Sequence, residues 1–331
     1  MFKNIYKNSI IQKPKLTLSI LIILLLSLSY FVKDFQLDAS SDSLLLENDP
    51  DLKYLREVNS KYGSKDYLVL TYTPKNDLLS PETITNLTNL RNDLANLSWA
   101  NNVITILDVP LLKNNDDPLA KRIENFKTLS SEDADKERGF DEIINSPIYK
   151  EFVISKDGKT SGILVYIKTD KKLSNLISEK NNYLDKKEKG QLGSEEKKEF
   201  KQFLKKYDKY RKIYNQKNHQ NINEIRKIIK KHQDSAIIHL GGIPMIADDM
   251  MTYIKNDIIV FGAGVFLFIV CTLWFVFRSL LWVLIPLLSC FFAVLTMIGL
   301  LGLVGWKVTV ISSNFIALML ILTMAMNIHM S

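Results

Sequence analysis

Two patterns of apolar residues alternate along this chain. In four stretches the apolar residues run without a polar face: 16–32, 258–277, 279–306 (interrupted by Pro286) and 308–331. A helix needs about 20 such residues to cross a bilayer, within a range near 17–25, so each stretch predicts a membrane helix. Between the first and second, residues 33–257 carry patterned segments instead. A polar run over 38–51 leads into a helix with Leu52, Leu55 and Val58 on one face. Residues 67–72 read as a buried strand ending at Pro74. Ser80-Pro81-Glu82-Thr83 is a helix start, with Ser80 as cap and Pro81 in the first turn, and Ile84, Leu87, Leu90, Leu94 and Leu97 give the helix its stripe. Residues 103–109 predict another strand. Residues 152–155 and 161–168, joined through Asp157-Gly158, predict a hairpin. Phe200, Phe203, Leu204, Tyr207, Tyr210, Ile213 and Tyr214 recur at helical spacing, and Ile222, Ile225, Ile228 and Ile229 resume it after a polar break. A last strand over 236–240 ends at Gly241-Gly242.

The order strand, helix, strand, strand, helix, strand is the ferredoxin-like βαββαβ plan. The fold class expected is therefore an α-helical membrane protein with an α+β exported domain, a ferredoxin-like (βαββαβ) unit between membrane helix 1 and helices 2–4. Two parts fall outside that plan: 116–147 reads as a polar mobile insertion and 185–198 as a charged loop.

Charge sharpens this division. Segments 1–32 and 258–331 contain no Asp or Glu and only six basic residues, Lys3, Lys7, Lys13, Lys15, Arg278 and Lys307. The middle is charge-dense yet nearly neutral. A nucleic-acid binder would place its basic excess on the folded domain, so nucleic acid is excluded as a partner. Basic residues flank membrane helices on the cytoplasmic side. The four N-terminal lysines put residues 1–15 in the cytoplasm and export the middle. Arg278 then marks a short cytoplasmic turn, and Lys307 a tight external one. The expected organisation is a cytoplasmic 1–15, helix 1 at 16–32, an exported unit at 33–257, and helices at 258–277, 281–304 and 308–330. A cleaved signal peptide is the alternative for 16–32, but the apolar run is longer than the usual core of about 7–15 residues and no small-x-small site follows. The fourth stretch stops without a basic or aromatic anchor, which predicts a fragment.

Chemistry-bearing motifs are sparse. Cys271 and Cys290 lie within apolar stretches and read as packing residues rather than a disulfide. His219, His232 and His239 lack ligand spacing, so no metal or cofactor site and no catalytic residue is expected. Asp248, Asp249 and Asp257 read as a solvated helix start. Gly241, Gly242 and Pro244 read as the turn that aims the chain at the membrane. Polar residues inside membrane helices are costly to bury and normally face protein or a water path. Ser312, Ser313 and Asn314 form such a cluster near the outer end of the fourth stretch. Thr323 and Asn327 share a helix face one turn apart. His329 is the titratable group, so Thr323, Asn327 and His329 are proton-relay candidates, with an interfacial histidine as the plainer alternative. Gly262, Gly264, Gly299, Gly302 and Gly305 are expected to allow close helix packing.

A family resemblance rests on specific stretches. ASSDSLLLENDPDLKYL follows the first apolar stretch, then SKDYLVLTYTPKNDLLSPE and ISKDGKTSGILVYIK. HLGGIPMIADDM leads into the second, and LLGLVGWKVTVISSNFIALMLILTMAMNIHM closes the chain. Together they resemble the first half of resistance-nodulation-division (RND) transporters, in the MmpL-like predicted-exporter branch. The resemblance implies proton-driven export of lipids or other hydrophobic or amphiphilic compounds, with the exported domain as substrate passage. It also implies a missing second half as partner and a possible homo-oligomer. Many relatives carry an Asp-Tyr pair in the fourth helix. Aligned on Ile328-His329, that pair falls at Ala325 and Met326, so the carboxylate is absent. A non-transporting module, similar to the lipid- and sterol-sensing relatives or an assembly subunit, is the alternative; an anchored exported enzyme ranks below both.

Overall fold

The computed structural model describes residues 12–38, 49–62, 66–113, 126–309, 312 and 314–330. In chain order the elements are α1 (Pro14–Ser29), a 3-10 turn (Tyr30–Asp34), β1 (Leu37–Asp38), α2 (Pro50–Tyr62), β2 (Tyr67–Pro74), α3 (Pro81–Ala95) and β3 (Ala100–Ile104). After a short 3-10 turn (Ile106–Asp108) come α4 (Lys136–Ile144), β4 (Ser161–Ile167), α5 (Lys171–Glu188), α6 (Ser194–His232) and β5 (Ala236–Gly241). The chain continues through α7 (Ile243–Phe277), α8 (Leu280–Val304), β6 (Val308–Thr309) and α9 (Phe315–Met330). Two compact units result: Asn48–Asp248, and Met1–Glu47 with Asp249–Ser331.

In the first unit β2 to β5 form an antiparallel sheet in the order β3-β4-β2-β5. Leu70 pairs with Ile163 on one side and Leu240 on the other. Even-numbered β2 positions face the core, since alternate residues of a strand take opposite faces. Leu68, Leu70 and Tyr72 are accordingly fully buried, and they pack with Leu87, Leu90 and Leu94 of α3 and Ile222, Ile225 and Ile229 of α6. Ser80 caps α3, its Oγ accepting from Thr83 N at 3.3 Å, with Pro81 in the first turn. The cap satisfies one amide that the helix start leaves unpaired, and Pro81 has no N–H to satisfy.

Four patterned segments differ from expectation. The strand expected over 103–109 is β3 from Ala100 to Ile104, and the chain then tightens into a 3-10 turn whose Thr105 and Asp108 cap each other. The expected hairpin turn forms, with Ser155 N on Thr160 O at 2.9 Å and Gly162 N on Val153 O at 2.7 Å, but its first arm, 152–155, is an isolated bridge to Ser161 rather than a full strand. Within 116–147, residues 126–147 are described and include α4; the earlier part of that segment lies outside the described residues. The charged loop expected over 185–198 is the tip of a helical hairpin. Helix α5 runs to Glu188, Gly190 turns the chain at φ +68°, and α6 starts at Ser194. Glu196 holds the tip, accepting from Gly193 N and Lys186 Nζ, both at 3.0 Å. Phe203 and Tyr207 pack between the two helices with Leu173 and Leu176. Asp170 caps α5 and accepts from Tyr210 Oη at 2.7 Å.

In the second unit three helices are long and apolar enough to cross a membrane, among the described residues: Pro14–Asp34, Ile243–Phe277 and Val283–Val304. The fourth apolar stretch is not helical throughout. It begins as β6, which pairs in parallel with β1, and only Phe315–Met330 is helix. The second stretch, expected to begin at 258, belongs to a helix that starts at Ile243. Ile269 and Leu273 of α7, Val283 and Cys290 of α8, and Leu320 and Met324 of α9 share one buried cluster. Helix α1 lies on α8 at backbone contact. A Cβ on Gly299 would stand 2.4 Å from Leu28 O, and one on Gly302 2.1 Å from Phe31 O.

Candidate functional site in the apolar helices

Polar groups within the apolar helices are few, and their placement separates the candidates. Asn327 is half-buried on α9. Its Oδ1 accepts from Ser289 Oγ of α8 at 3.4 Å, a long and weak hydrogen bond. Thr323, one turn earlier, is half-buried on the same face. Next to Ser289, Cys290 is buried with its Sγ 3.9 Å from Leu320 O. The structure thus gathers Ser289, Asn327 and Thr323 along the α8–α9 seam. Sequence reasoning missed Ser289. Its signal was a lone hydroxyl in an apolar helix, which carries no indication of which helix it meets.

His329 does not join this group. Two residues along a helix is about 200° of rotation, which puts it on the far side from Asn327, and it is exposed. The expected cluster of Ser312, Ser313 and Asn314 is also not a buried set. Ser312 is exposed and closes a turn, its Oγ accepting from Thr309 N at 2.9 Å. Asn314 is exposed just before α9, and Leu318 N donates to its carbonyl. Ser313 lies outside the described residues.

The glycines divide in the same way. Gly299 and Gly302 meet the α1 backbone, as given above. Gly262 and Gly264 have nothing within 4 Å, and no helix packs on them among the described residues. Gly305 is not a packing position but the left-handed cap of α8, at φ +75° with its amide on Leu301 O at 2.9 Å. Gly242, at φ +118°, turns the chain from β5 into α7. A Cβ there would press to 2.9 Å from Tyr67 O. Gly241 is looser, and Pro244 sits in the first turn of α7, where its carbonyl accepts from Asn218 Nδ2 at 2.9 Å.

The other unit holds a polar constellation around Asp248, which was expected at a solvated helix start and is instead buried. His219 Nδ1 stands 3.0 Å from both carboxylate oxygens of Asp248, which is itself buried. Asn223 Nδ2 is 3.0 Å from His219 Nε2. With the amide so oriented, Nε2 accepts and the Nδ1–H donates to the carboxylate. This offers orientation and a hydrogen bond to the buried carboxylate, with no nucleophile beside it among the described residues. Among the described residues no three His, Cys, Asp or Glu come together as a metal site.

Long apolar helices, a seam of neutral polar groups between them and a separate α+β unit define the class: a multi-pass membrane protein. Residues 212–328, about a third of the chain, match the model of the MMPL family. Over those residues the chain is similar to RND/MmpL-like transporters. No curated protein sequence matches it.

Proposed function

We propose that this protein works in the export of lipids or other hydrophobic or amphiphilic compounds, as a proton-coupled RND-type transporter of the bacterial inner membrane. The observation that carries this reading is the MMPL match, which spans the end of α6, β5 and the apolar helices α7 to α9. In this reading the α+β unit is periplasmic and serves as the substrate passage. Its strand order, 2-3-1-4 when numbered within the sheet alone, supports reading it as a ferredoxin-like porter domain. Lys13 and Lys15 support a cytoplasmic start of α1. The seam of Ser289, Thr323 and Asn327 lies on the proton path, and His329, on the opposite face of α9, is the titratable group nearest to Asn327 in sequence. The test is flux of a fluorescent lipid in proteoliposomes under an imposed pH gradient, using the protein produced from its complete gene. Gradient-dependent flux lost in Asn327→Leu and His329→Ala supports the reading. Flux indifferent to the gradient removes the coupling.

A second reading has its own observation. Residues 258–331 contain no carboxylate. A lipid-sensing or assembly module needs none, whereas a proton relay built only from an amide, hydroxyls and one imidazole has a single titrating group. Lipid binding without flux in the same proteoliposomes selects this second reading.

A further inference from the structure

Helices α7 and α8 are joined by two residues, Arg278 and Ser279. Arg278 takes φ +45°, left-handed backbone that a non-glycine residue adopts at a cost of about 1–2 kcal/mol. Its amide donates to Trp274 O at 3.1 Å, closing the end of α7. Trp274, Phe275 and Arg278 line a cavity of about 320 Å³, at the small end of the range of ligand pockets. Both aromatic residues are more than half exposed.

Charge identifies the occupant. No acidic residue occurs in 258–331, and none of the ion pairs among the described residues includes Arg278. The last carboxylate on α7 is Asp257, 21 positions earlier, about 31 Å away along the helix axis. That is a full hydrocarbon thickness. The guanidinium therefore sits at one membrane boundary with no counter-charge of its own. The anion concentrated at that depth is the phosphodiester of a lipid headgroup. A guanidinium matches its oxygens bidentately, and indole and phenyl rings suit the glycerol and upper acyl region. A free phosphate has no use for the apolar walls.

We propose that Trp274, Phe275 and Arg278 form a binding site for the headgroup of an anionic phospholipid. The site rests on α7 and α8 crossing the bilayer and is independent of whether the protein transports anything. The experiment is native mass spectrometry of the protein released from mixed micelles of phosphatidylglycerol and phosphatidylcholine. The expected result is about fivefold preferential retention of phosphatidylglycerol, the scale of one basic residue at an anionic surface. Arg278→Gln abolishes the preference and Arg278→Lys keeps part of it. Trp274→Leu, which leaves the turn backbone alone, weakens it. Lys307→Gln, at the other basic residue of the apolar region, leaves it intact. No preference in the wild type, or one that survives Arg278→Gln, overturns the proposal. Equal loss in Lys307→Gln overturns it in favour of diffuse charge attraction. Displacement of the lipid by excess inorganic phosphate overturns it in favour of a free-anion site.

Discussion

Replacing Gly302 by alanine tests the closest contact in the apolar unit. The added Cβ would lie 2.1 Å from Phe31 O and 3.0 Å from Phe31 C. Both are backbone atoms, so no rotamer change relieves the clash. A carbon and a carbonyl oxygen approach to about 3.3 Å at best, so α1 must retreat by about 1 Å. A gap of that size forfeits up to about half of the dispersion attraction across the contact. Overpacking of this kind costs about 1–3 kcal/mol. Against it stands the gain of about 1 kcal/mol that alanine brings to any helix interior. Gly264→Ala isolates that gain, because nothing lies within 4 Å of Gly264. Thermal unfolding in detergent, followed by tryptophan fluorescence, should show Gly302→Ala below wild type and Gly264→Ala at or above it. Gly299→Ala, 2.4 Å from Leu28 O, should behave like Gly302→Ala. The double variant should lose less than the sum, since the first retreat already makes room for the second. Gly302→Ala at wild-type stability refutes the close contact between α1 and α8.

Three further outcomes follow from the other unit. Gly242→Ala meets both a left-handed backbone and Tyr67 O at 2.9 Å, so it should cost about 2 kcal/mol or more in denaturant unfolding, well beyond Gly190→Ala, where nothing is near. Burial, with Asp66 nearby, pushes the Tyr214 phenol up to about 12. A raised value favours the folded state below the unfolded value near 10 and loses that contribution as pH climbs from 10 towards 12. Tyr214→Phe should flatten the stability profile there, and a phenolate absorbance titration should lose its latest-titrating step. Hydrogen bonds from Lys231 and His232 hold the Asp93 carboxyl below its ordinary value. That contribution is present above the unfolded value near 3.9 and is lost as pH falls through the folded one. Asp93→Asn should therefore reduce stability at neutral pH and narrow the gap to wild type in acid.

The sequence was most legible where one local rule decided the outcome. Alternation around Leu68, Leu70 and Tyr72 marked a core strand, and the Ser80-Pro81 pair marked a helix start. It was least legible in α6. Residues 215–221 are polar, and polarity there resembles a break. The helix stays continuous because it serves two cores, Phe203 and Tyr207 at one end and Ile222, Ile225 and Ile229 at the other. Its polar centre is occupied too, with Asn218 on Pro244 and His219 on Asp248. The segment 185–198 misled for a related reason. Lys and Glu are good helix formers, so charge density alone does not distinguish a loop from a solvated helix. In the apolar helices composition marked the polar residues but not their neighbours. Whether Asn327 meets Ser289 or His329 depends on rotation about the helix axis, which hydrophobic runs do not encode.

The pairing of β1 with β6, and of α1 with α8, also sets a timetable. Leu37 waits for Val308, and Leu28 for Gly299. A ribosome adding about 5–20 residues per second takes some 14–54 s to cover the intervening chain. Throughout that interval the first helix has been made and its partner has not. The residues between them are synthesised and can fold while it stands alone in lipid. Its uniformly apolar surface suits that solitary period, and the contact closes only after every residue of the α+β unit has been made.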